Sequence, residues 1–159
     1  GPWTVASNSG DPVPDDAILR VEPGLHGVYS IRFRADDPDT MQERIYKWQY
    51  PVDGLVETGK RYCLSYCVRV DGLDAHGHQG SFNSYIHVRR DGNPGGNLGQ
   101  QESMLTRREL PWTRRETIIA IPPDVAPAVI SFQLHRATGT VWLDTVSLYE
   151  CVPAQTQNE

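Results

Sequence analysis

The chain has 159 residues, which is enough for one domain with a hydrophobic core. Its hydrophobic fraction of 38% and charged fraction of 22% are ordinary for a globular protein and exclude an intrinsically disordered chain. The formal net charge of −5 argues against a general nucleic-acid binder, and no apolar run reaches the roughly 18 residues of a membrane-spanning helix.

Short segments rich in β-branched and aromatic residues alternate with turns of Gly, Pro, Asp and Asn, and no segment has a convincing helical period. This pattern is typical of an all-β sandwich or barrel. The predicted strands are 3–7, 17–21, 28–34, 43–52, 61–70, 81–90, 113–121, 128–135 and 137–150. The intervening segments 71–80 and 91–101 are predicted to be polar loops.

The third predicted strand, 28–34, alternates polar and apolar side chains. Because successive side chains of a strand point to opposite faces, Arg32 and Arg34 share the face opposite Phe33. We expect the two arginines to line a solvated surface or a ligand groove. The carboxylate-rich segment 36–39 is predicted to be a solvated turn rather than a calcium loop.

The fourth predicted strand, 43–52, is the most aromatic segment. Three of its side chains point to one face, namely Tyr46, Trp48 and Tyr50. One interpretation is a platform for sugar rings, since the apolar C–H face of a pyranose packs against a flat aromatic ring. The other places all three in the core, because Val52 has the same parity. In that case Lys47 and Gln49 face the ligand.

Two further predicted strands, 81–90 and 128–135, combine an apolar face with a polar one. The outward row of the first is Asn83, Tyr85, His87 and Arg89. Gln133 and His135 of the second are candidates for the same groove. One ring, several hydrogen-bonding groups and a cation suit a groove that binds a polyhydroxylated ligand. The alternative is a decorated surface strand.

The last predicted strand, 137–150, is largely apolar on both faces, which is typical of a central strand. Strict alternation places four residues on one face, namely Trp142, Asp144, Val146 and Leu148. Burying a carboxylate without compensation is costly. We therefore expect a cation or several hydrogen-bond donors beside Asp144.

The three cysteines cannot all pair with one another. Cys63 and Cys67 lie four residues apart in one predicted strand, about 13 Å in extended geometry, which is beyond disulfide reach. Either could meet Cys151. We expect three buried, reduced thiols that behave as small apolar side chains.

Three motifs are spaced along most of the chain: GKRYCLS at 59–65, Trp112 at the start of a late strand, and DTVSL at 144–148. Together they resemble the carbohydrate-binding modules of families four, sixteen and twenty-two. The resemblance implies an all-β, galactose-binding-like jelly roll, a β-sandwich of two antiparallel sheets. It implies a module at 1–152 with a tail or linker at 153–159. It also implies that Trp3, Trp112 and Trp142 are core residues.

The same resemblance implies a structural calcium ion with Asp144 as a ligand. It implies a secreted or extracellular, non-catalytic module that binds a polysaccharide or oligosaccharide in the concave groove of one sheet and targets an appended catalytic domain to it. The predicted carbohydrate-binding residues are Trp48, Tyr46, Tyr50, Tyr85, His87, Arg89, Gln133, His135, Arg32 and Arg34.

Arginines pair bidentately with carboxylate or sulfate, so an acidic glycan is one expected ligand, and a neutral β-glucan or xylan is the other. Neither nucleic acid nor a membrane is an expected partner. The alternative function is a small jelly-roll glycanase or polysaccharide lyase. A glycanase needs two facing carboxylates, which the groove strands lack, whereas a lyase could use Tyr85 and His87. A third hypothesis is a structural or adhesive sandwich without a sugar site.

Overall fold

The computed structural model describes residues 3–22, 24–27, 29–77 and 79–151. Within these ranges the elements are β1 (Thr4–Ser7), β2 (Ile18–Val21), β3 (Ser30–Ala35), α1 (Pro38–Met41), β4 (Ile45–Pro51), β5 (Arg61–Asp74), β6 (Ser81–Arg90), β7 (Asn93–Leu98), α2 (Gln100–Ser103), β8 (Glu109–Ala120), β9 (Ala126–His135) and β10 (Thr138–Glu150). Among them, no helix has the length and hydrophobicity that a membrane span requires. The tail predicted at 153–159 lies outside the described residues.

The strands form two antiparallel sheets that pack face to face. The front sheet has the strand order β1-β4-β9-β6-β7, and the back sheet has the order β2-β3-β10-β5-β8. The predicted all-β sandwich with a jelly-roll fold is therefore confirmed. The closing strand β10 lies between β3 and β5, the central position that its two apolar faces predict.

The hydrophobic core lies between the two sheets. Aromatic rings from opposite sheets meet there edge to face: Phe33 contacts Phe82 at 5.1 Å between ring centroids, and Tyr66 contacts Phe132 at 5.2 Å. All four side chains are buried. Full burial of a large apolar side chain stabilises a fold by about 1.5–3 kcal/mol, so these contacts hold the two sheets together.

The segment 91–101, predicted to be a flexible loop, instead forms β7 and α2. Strand β6 turns into β7 through Asp91 and Gly92, which both have positive φ, 51° and 78°. Two consecutive residues of this kind form the type I′ turn, whose right-handed twist matches that of a hairpin. The Asp-Gly pair is therefore the signal in the sequence that marks this hairpin.

A bulge interrupts β10 after Asp144. Its partner in β5 shifts from Cys67, opposite Asp144, to Ser65, opposite Ser147, and Thr145 has a φ of 54°. The bulge reverses the alternation. Trp142 and Asp144 consequently point outward, whereas Val146 and Leu148 pack against the core. The prediction that these four side chains share a face is wrong because the bulge adds one residue.

The prediction of three reduced thiols is also wrong. Cys63 and Cys151 form a disulfide, with Cα atoms 5.6 Å apart, while Cys67 is free and buried. The pair is possible because the end of β10 runs beside the start of β5, where Tyr149 is the neighbour of Cys63. The disulfide fastens the last described residue to the back sheet.

The carboxylate-rich segment 36–39 forms the start of α1. The Asp37 carboxylate accepts hydrogen bonds from the backbone N–H of Asp39 and, at 2.7 Å, from the hydroxyl of Thr40. The Thr40 hydroxyl and then the Asp39 N–H lower the pKa of Asp37. This is helix N-capping, the turn chemistry that the sequence predicts here.

Candidate functional site

The outer face of the front sheet gathers polar side chains from neighbouring strands. We call this surface the front face, and it consists of Lys47, Gln49, Asn83, Tyr85, His87, Ser131, Gln133 and His135. Strand pairing aligns these side chains in rows, such as Lys47 of β4, Gln133 of β9 and Asn83 of β6. Opposite residues of neighbouring strands are about 5 Å apart, so each row forms a continuous polar surface. Five predicted site residues lie on this side of the sheet: Tyr85, His87, Arg89, Gln133 and His135.

The floor of the front face is held by its own hydrogen bonds. The Tyr85 hydroxyl donates to Gln133 Oε1 at 3.2 Å, and Asn83 Nδ2 donates to Ser81 Oγ at 2.9 Å. Tyr85, Gln133 and Asn83 are only 3%, 2% and 0% exposed although they point away from the core. The neighbouring side chains therefore surround them, and the more accessible groups are Lys47, Gln49, His87 and His135.

Burial lowers the pKa of two of these accessible groups. Burial lowers the pKa of Lys47. Burial, then the positive charges of Arg136 and Lys47, lower the pKa of His135, so its imidazole is neutral at pH 7. A neutral imidazole offers one donor and one acceptor. Its Nδ1 atom is buried without a hydrogen-bond partner.

One edge of the front face is built from the hairpin that the sequence predicted as a loop. His87 Nδ1 lies 2.8 Å from Asn97 Oδ1, and Asn97 Nδ2 donates to Gln100 Oε1 at 3.2 Å. Gln100 Nε2 in turn donates to Asn83 Oδ1 at 3.4 Å. Asn97 and Gln100 are thus two polar residues of the site that the sequence pattern does not predict, because they lie in a segment that it assigns to a loop.

The aromatic row of β4 faces the core, which decides between the two interpretations of that strand. Tyr46 is buried in the core, and the ring of Trp48 stacks on Trp3 with 3.6 Å between centroids. Trp48 also contacts Phe132 at 6.2 Å. These residues cannot form a platform on the outer face, and Lys47 and Gln49 point outward in their place.

Tyr50 lines a different cavity, of about 630 Å³, at one end of the sandwich. Trp3, Tyr62 and Leu148 form its apolar wall together with Tyr50. At the rim, the Lys60 ammonium pairs with the carboxylate of Glu57, and Glu150 lies 3.5 Å away. Tyr50 is therefore separated from the predicted groove.

Arg32 and Arg34 lie on β3, in the back sheet, and so cannot join the front face. Arg34 Nε is 3.2 Å from the carboxylate of Asp36. The expectation that both arginines line the same groove as Tyr85 is wrong, because strand alternation assigns a face but does not tell which sheet a strand joins.

Backbone N–H groups stabilise the negative charge of Asp144. Its Oδ2 accepts hydrogen bonds from the N–H groups of Leu25 and, at 3.2 Å, His26. Gly24 permits the close packing of this loop, because a Cβ there would clash with the Tyr29 carbonyl oxygen and lie 3.0 Å from Asp144 Oδ2. Burial raises the pKa of the carboxyl, but the N–H donors outweigh it, and the net pKa is lowered. The sequence predicts either a cation or several hydrogen-bond donors beside Asp144, and the structure shows the donors.

The surroundings of Asp144 do not fit a calcium ion. Calcium takes six to eight oxygen ligands, whereas N–H hydrogens point at Oδ2 and the Thr145 hydroxyl donates to Oδ1 at 3.2 Å. In the described ranges, no three His, Cys, Asp or Glu side chains are grouped to hold a metal. The calcium ion stays a prediction from the resemblance alone.

Comparison with known proteins supports the fold through structure rather than sequence. No protein-family profile matches the chain, and no curated protein matches it. A family 22 xylan-binding domain from Paenibacillus barcinonensis has a similar structure, with 12% identity and a TM-score of 0.61, over 96% of this chain and 87% of that one. A family 22 carbohydrate-binding module from Clostridium thermocellum has 16% identity and a TM-score of 0.62, over 100% of this chain and 89% of that one.

Other similar structures include modules of families four and sixteen, with TM-scores of 0.56 and 0.55. The enzymatically active domain of bacteriophage CBA120 tailspike protein 4 also matches, with 13% identity and a TM-score of 0.59, over 94% of this chain. The present chain spans only 19% of that tailspike chain. The families named by the resemblance thus share this fold.

Proposed function

We propose that this chain is a non-catalytic carbohydrate-binding module whose front face binds a polysaccharide. The observation that carries the proposal is the row of hydrogen-bonding side chains across β4, β9 and β6. Amide, hydroxyl, imidazole and ammonium groups there match the donors and acceptors of sugar hydroxyls.

The composition of the front face disfavours glycoside hydrolysis as its function. Glycosidases use two carboxylates about 5–10 Å apart across a cleft. Among the described residues, the outward positions of β4, β6 and β9 carry no Asp or Glu. The chemistry that the surface supports is hydrogen bonding without acid–base cleavage.

A lyase built on Tyr85 and His87 is also disfavoured. Burial raises the pKa of Tyr85, and its hydroxyl already donates to Gln133. Its proton is therefore harder to remove at neutral pH, the opposite of what a catalytic base requires. His87 is engaged with Asn97.

A neutral β-linked glycan such as xylan is the proposed ligand of the front face, because similar modules include a xylan-binding domain. Tyr85, the aromatic ring on this surface, is almost fully buried. Binding then depends mainly on hydrogen bonds that compete with water, so we expect modest affinity, in the micromolar to millimolar range of Kd.

The natural setting we propose is a secreted protein in which this module keeps an appended enzyme close to its substrate. The Cys63–Cys151 disulfide supports an oxidising compartment. A similar structure from Clostridium thermocellum joins such a module to a family 10 catalytic module, and this chain spans 26% of that one.

Affinity electrophoresis in gels that contain soluble xylan or β-glucan tests the proposal. We expect retardation of the wild type and its loss in Gln49→Ala and His135→Ala, because both side chains are accessible on the front face. Gln42→Ala, an exposed glutamine beside α1, is the matched control. Thermal unfolding of each variant confirms that the fold is intact.

Three results would contradict the proposal. Lack of retardation on every glycan would favour a structural or adhesive sandwich. Retention of binding in both variants, with loss in Leu55→Ala, would move the site to the end cavity, where Leu55 is 64% exposed. Release of soluble products by the pure chain would show catalysis.

A further inference from the structure

The outer face of the back sheet contains a second cavity, of about 430 Å³, which we call the back pocket. Its defining side chains are Arg32 of β3, Arg69 of β5, Trp112 of β8 and Trp142 of β10. Trp142 is the direct cross-strand neighbour of both arginines. A volume of this order falls in the range of small-molecule sites.

The two tryptophans are half-buried on this outer face rather than buried in the core, which reverses the expectation from the resemblance. The Arg69 guanidinium carbon lies 4.8 Å from the centre of the Trp142 ring. This cation–π contact holds Arg69 against the wall of the pocket without neutralising its charge.

Arg32 supplies a second positive charge in the same pocket. Its Nε atom is buried and has no hydrogen-bond partner. In the described part of the chain, neither Arg32 nor Arg69 forms an ion pair, although Glu22 lines the same pocket. By contrast, Arg34 on β3 pairs with Asp36.

Two guanidinium groups that flank Trp142 and line one pocket, with no carboxylate ion pair among the described residues, favour an anion in that pocket. A guanidinium presents a planar set of N–H donors that matches carboxylate or sulfate oxygens, and it can bind them bidentately. Aromatic walls beside the charges suit a ring that carries the anion, because its apolar face packs against the indole. The whole chain has a net charge of −5, so attraction of anions here is a local property.

We propose that the back pocket binds an acidic saccharide unit, with its carboxylate or sulfate at Arg32 and Arg69 and its ring against the tryptophans. This inference goes beyond the proposed function because it concerns the opposite sheet and a different ligand class. A chain with both sites can contact a neutral and an acidic glycan at once.

The test is calorimetric titration at about 0.15 M salt, which suppresses long-range attraction. The probes are a galacturonate oligosaccharide, a sulfated oligosaccharide of similar length, a neutral xylo-oligosaccharide and inorganic sulfate. We expect the wild type to bind the carboxylated or the sulfated saccharide, and the difference between these two arms identifies the anion.

Arg32→Gln and Arg69→Gln should each lower the affinity for that saccharide about tenfold or more. Arg61→Gln is the matched control. Arg61 is an exposed arginine of β5 that does not line the pocket, and its substitution removes the same charge. Arg32→Lys keeps the charge but not the fork of donors, so it should also weaken binding. Thermal unfolding confirms that each variant is folded.

Absence of binding by either acidic saccharide at about 1 mM would overturn the inference. An equal loss in Arg61→Gln would overturn it as well, by showing general charge attraction. If inorganic sulfate binds as tightly as the saccharide, the sugar ring contributes nothing to the affinity, which contradicts the proposed packing against the tryptophans. Binding of the xylo-oligosaccharide should be unchanged in Arg32→Gln, while Gln49→Ala should leave binding of the acidic saccharide unchanged, so the two sites can fail independently.

Discussion

Asp144 places a negative charge in the middle of a central strand, where it is stabilised by hydrogen-bond donors from a loop. The N–H groups of Leu25 and His26 converge on one carboxylate oxygen, which ties that loop to the back sheet. Charge-assisted hydrogen bonds of this type are stronger than neutral ones. The residue that the sequence singles out as unusual therefore acts as a structural tie in this fold.

Asp144→Asn should destabilise the fold by about 1 kcal/mol at pH 7, because an uncharged amide accepts these hydrogen bonds more weakly and the site is partly exposed. The pKa of Asp144 is lowered in the folded state, so its stabilising effect is present above the unfolded pKa, near 3.8. The effect is lost as the pH falls further, through the folded pKa. Urea unfolding of both proteins at pH 7 and below pH 3.8 checks the prediction, and a difference that is equal at both pH values contradicts it.

Removal of calcium gives a separate test at the same residue. A cage of oxygen ligands would make the melting temperature fall on addition of EDTA and recover with calcium. From the N–H donors at Asp144 we expect the melting temperature to change by less than about 1 °C. A larger, calcium-reversible change would show that the resemblance is the better guide and that the loop rearranges around an ion.

At the scale of elements, alternation predicts which side chains share a face, and it succeeds wherever a strand is regular. Tyr85 and His87 on β6 and Gln133 and His135 on β9 were placed together correctly. It fails after Thr145, because a bulge is invisible in the period of the sequence. It also could not decide the direction of Trp48, since a row of aromatic side chains suits a core and a sugar-binding platform alike.

The sequence also does not show which tryptophans are exposed and which lie in the core. An indole is apolar enough for a core and flat enough for a ligand site, so its residue type does not distinguish Trp48 from Trp142. The deciding information is which strand each neighbours: Trp142 stands between Arg32 and Arg69 in the back sheet. Strand order is set by non-local pairing, which a local pattern does not contain.

The bulge itself makes a prediction about stability. Thr145 is β-branched yet has a φ of 54°, a left-handed conformation that costs an L-residue about 1–2 kcal/mol. Thr145→Asn should raise the free energy of unfolding by about 0.5–1 kcal/mol, because Asn tolerates this region and can still donate to Asp144. Guanidinium unfolding measures the change.

Ser147→Asn is the matched control, since Ser147 is exposed two residues further along β10, where the strand is again paired with β5. This substitution should be neutral or slightly destabilising, because Asn is disfavoured in strands. Equal effects of the two substitutions would show that the left-handed position stores no relievable strain.

At the scale of the whole molecule, the two outer faces have different chemistry. The front face combines amides, imidazoles and one ammonium group, whereas the back pocket combines guanidinium groups and indoles. The core between the sheets keeps the two surfaces apart, so a substitution on one face should not alter ligand binding on the other. This independence is what allows the two binding proposals to be tested in one protein.

The disulfide between Cys63 and Cys151 contributes to the stability of the whole fold, because it closes a loop with a sequence separation of 88 residues. A cross-link of this kind restricts the unfolded chain and typically stabilises a protein by about 2–4 kcal/mol. The double substitution Cys63→Ser and Cys151→Ser should lower the free energy of unfolding by that amount. Guanidinium unfolding in oxidising buffer measures it, with Cys67→Ala as the control for loss of a thiol alone. Addition of a reductant should bring the wild type to the stability of the double variant and leave the double variant unchanged. The prediction is contradicted if the wild type is insensitive to reductant and no more stable than the double variant. In that case the hydrogen bonds between β10 and β5 alone hold the last strand.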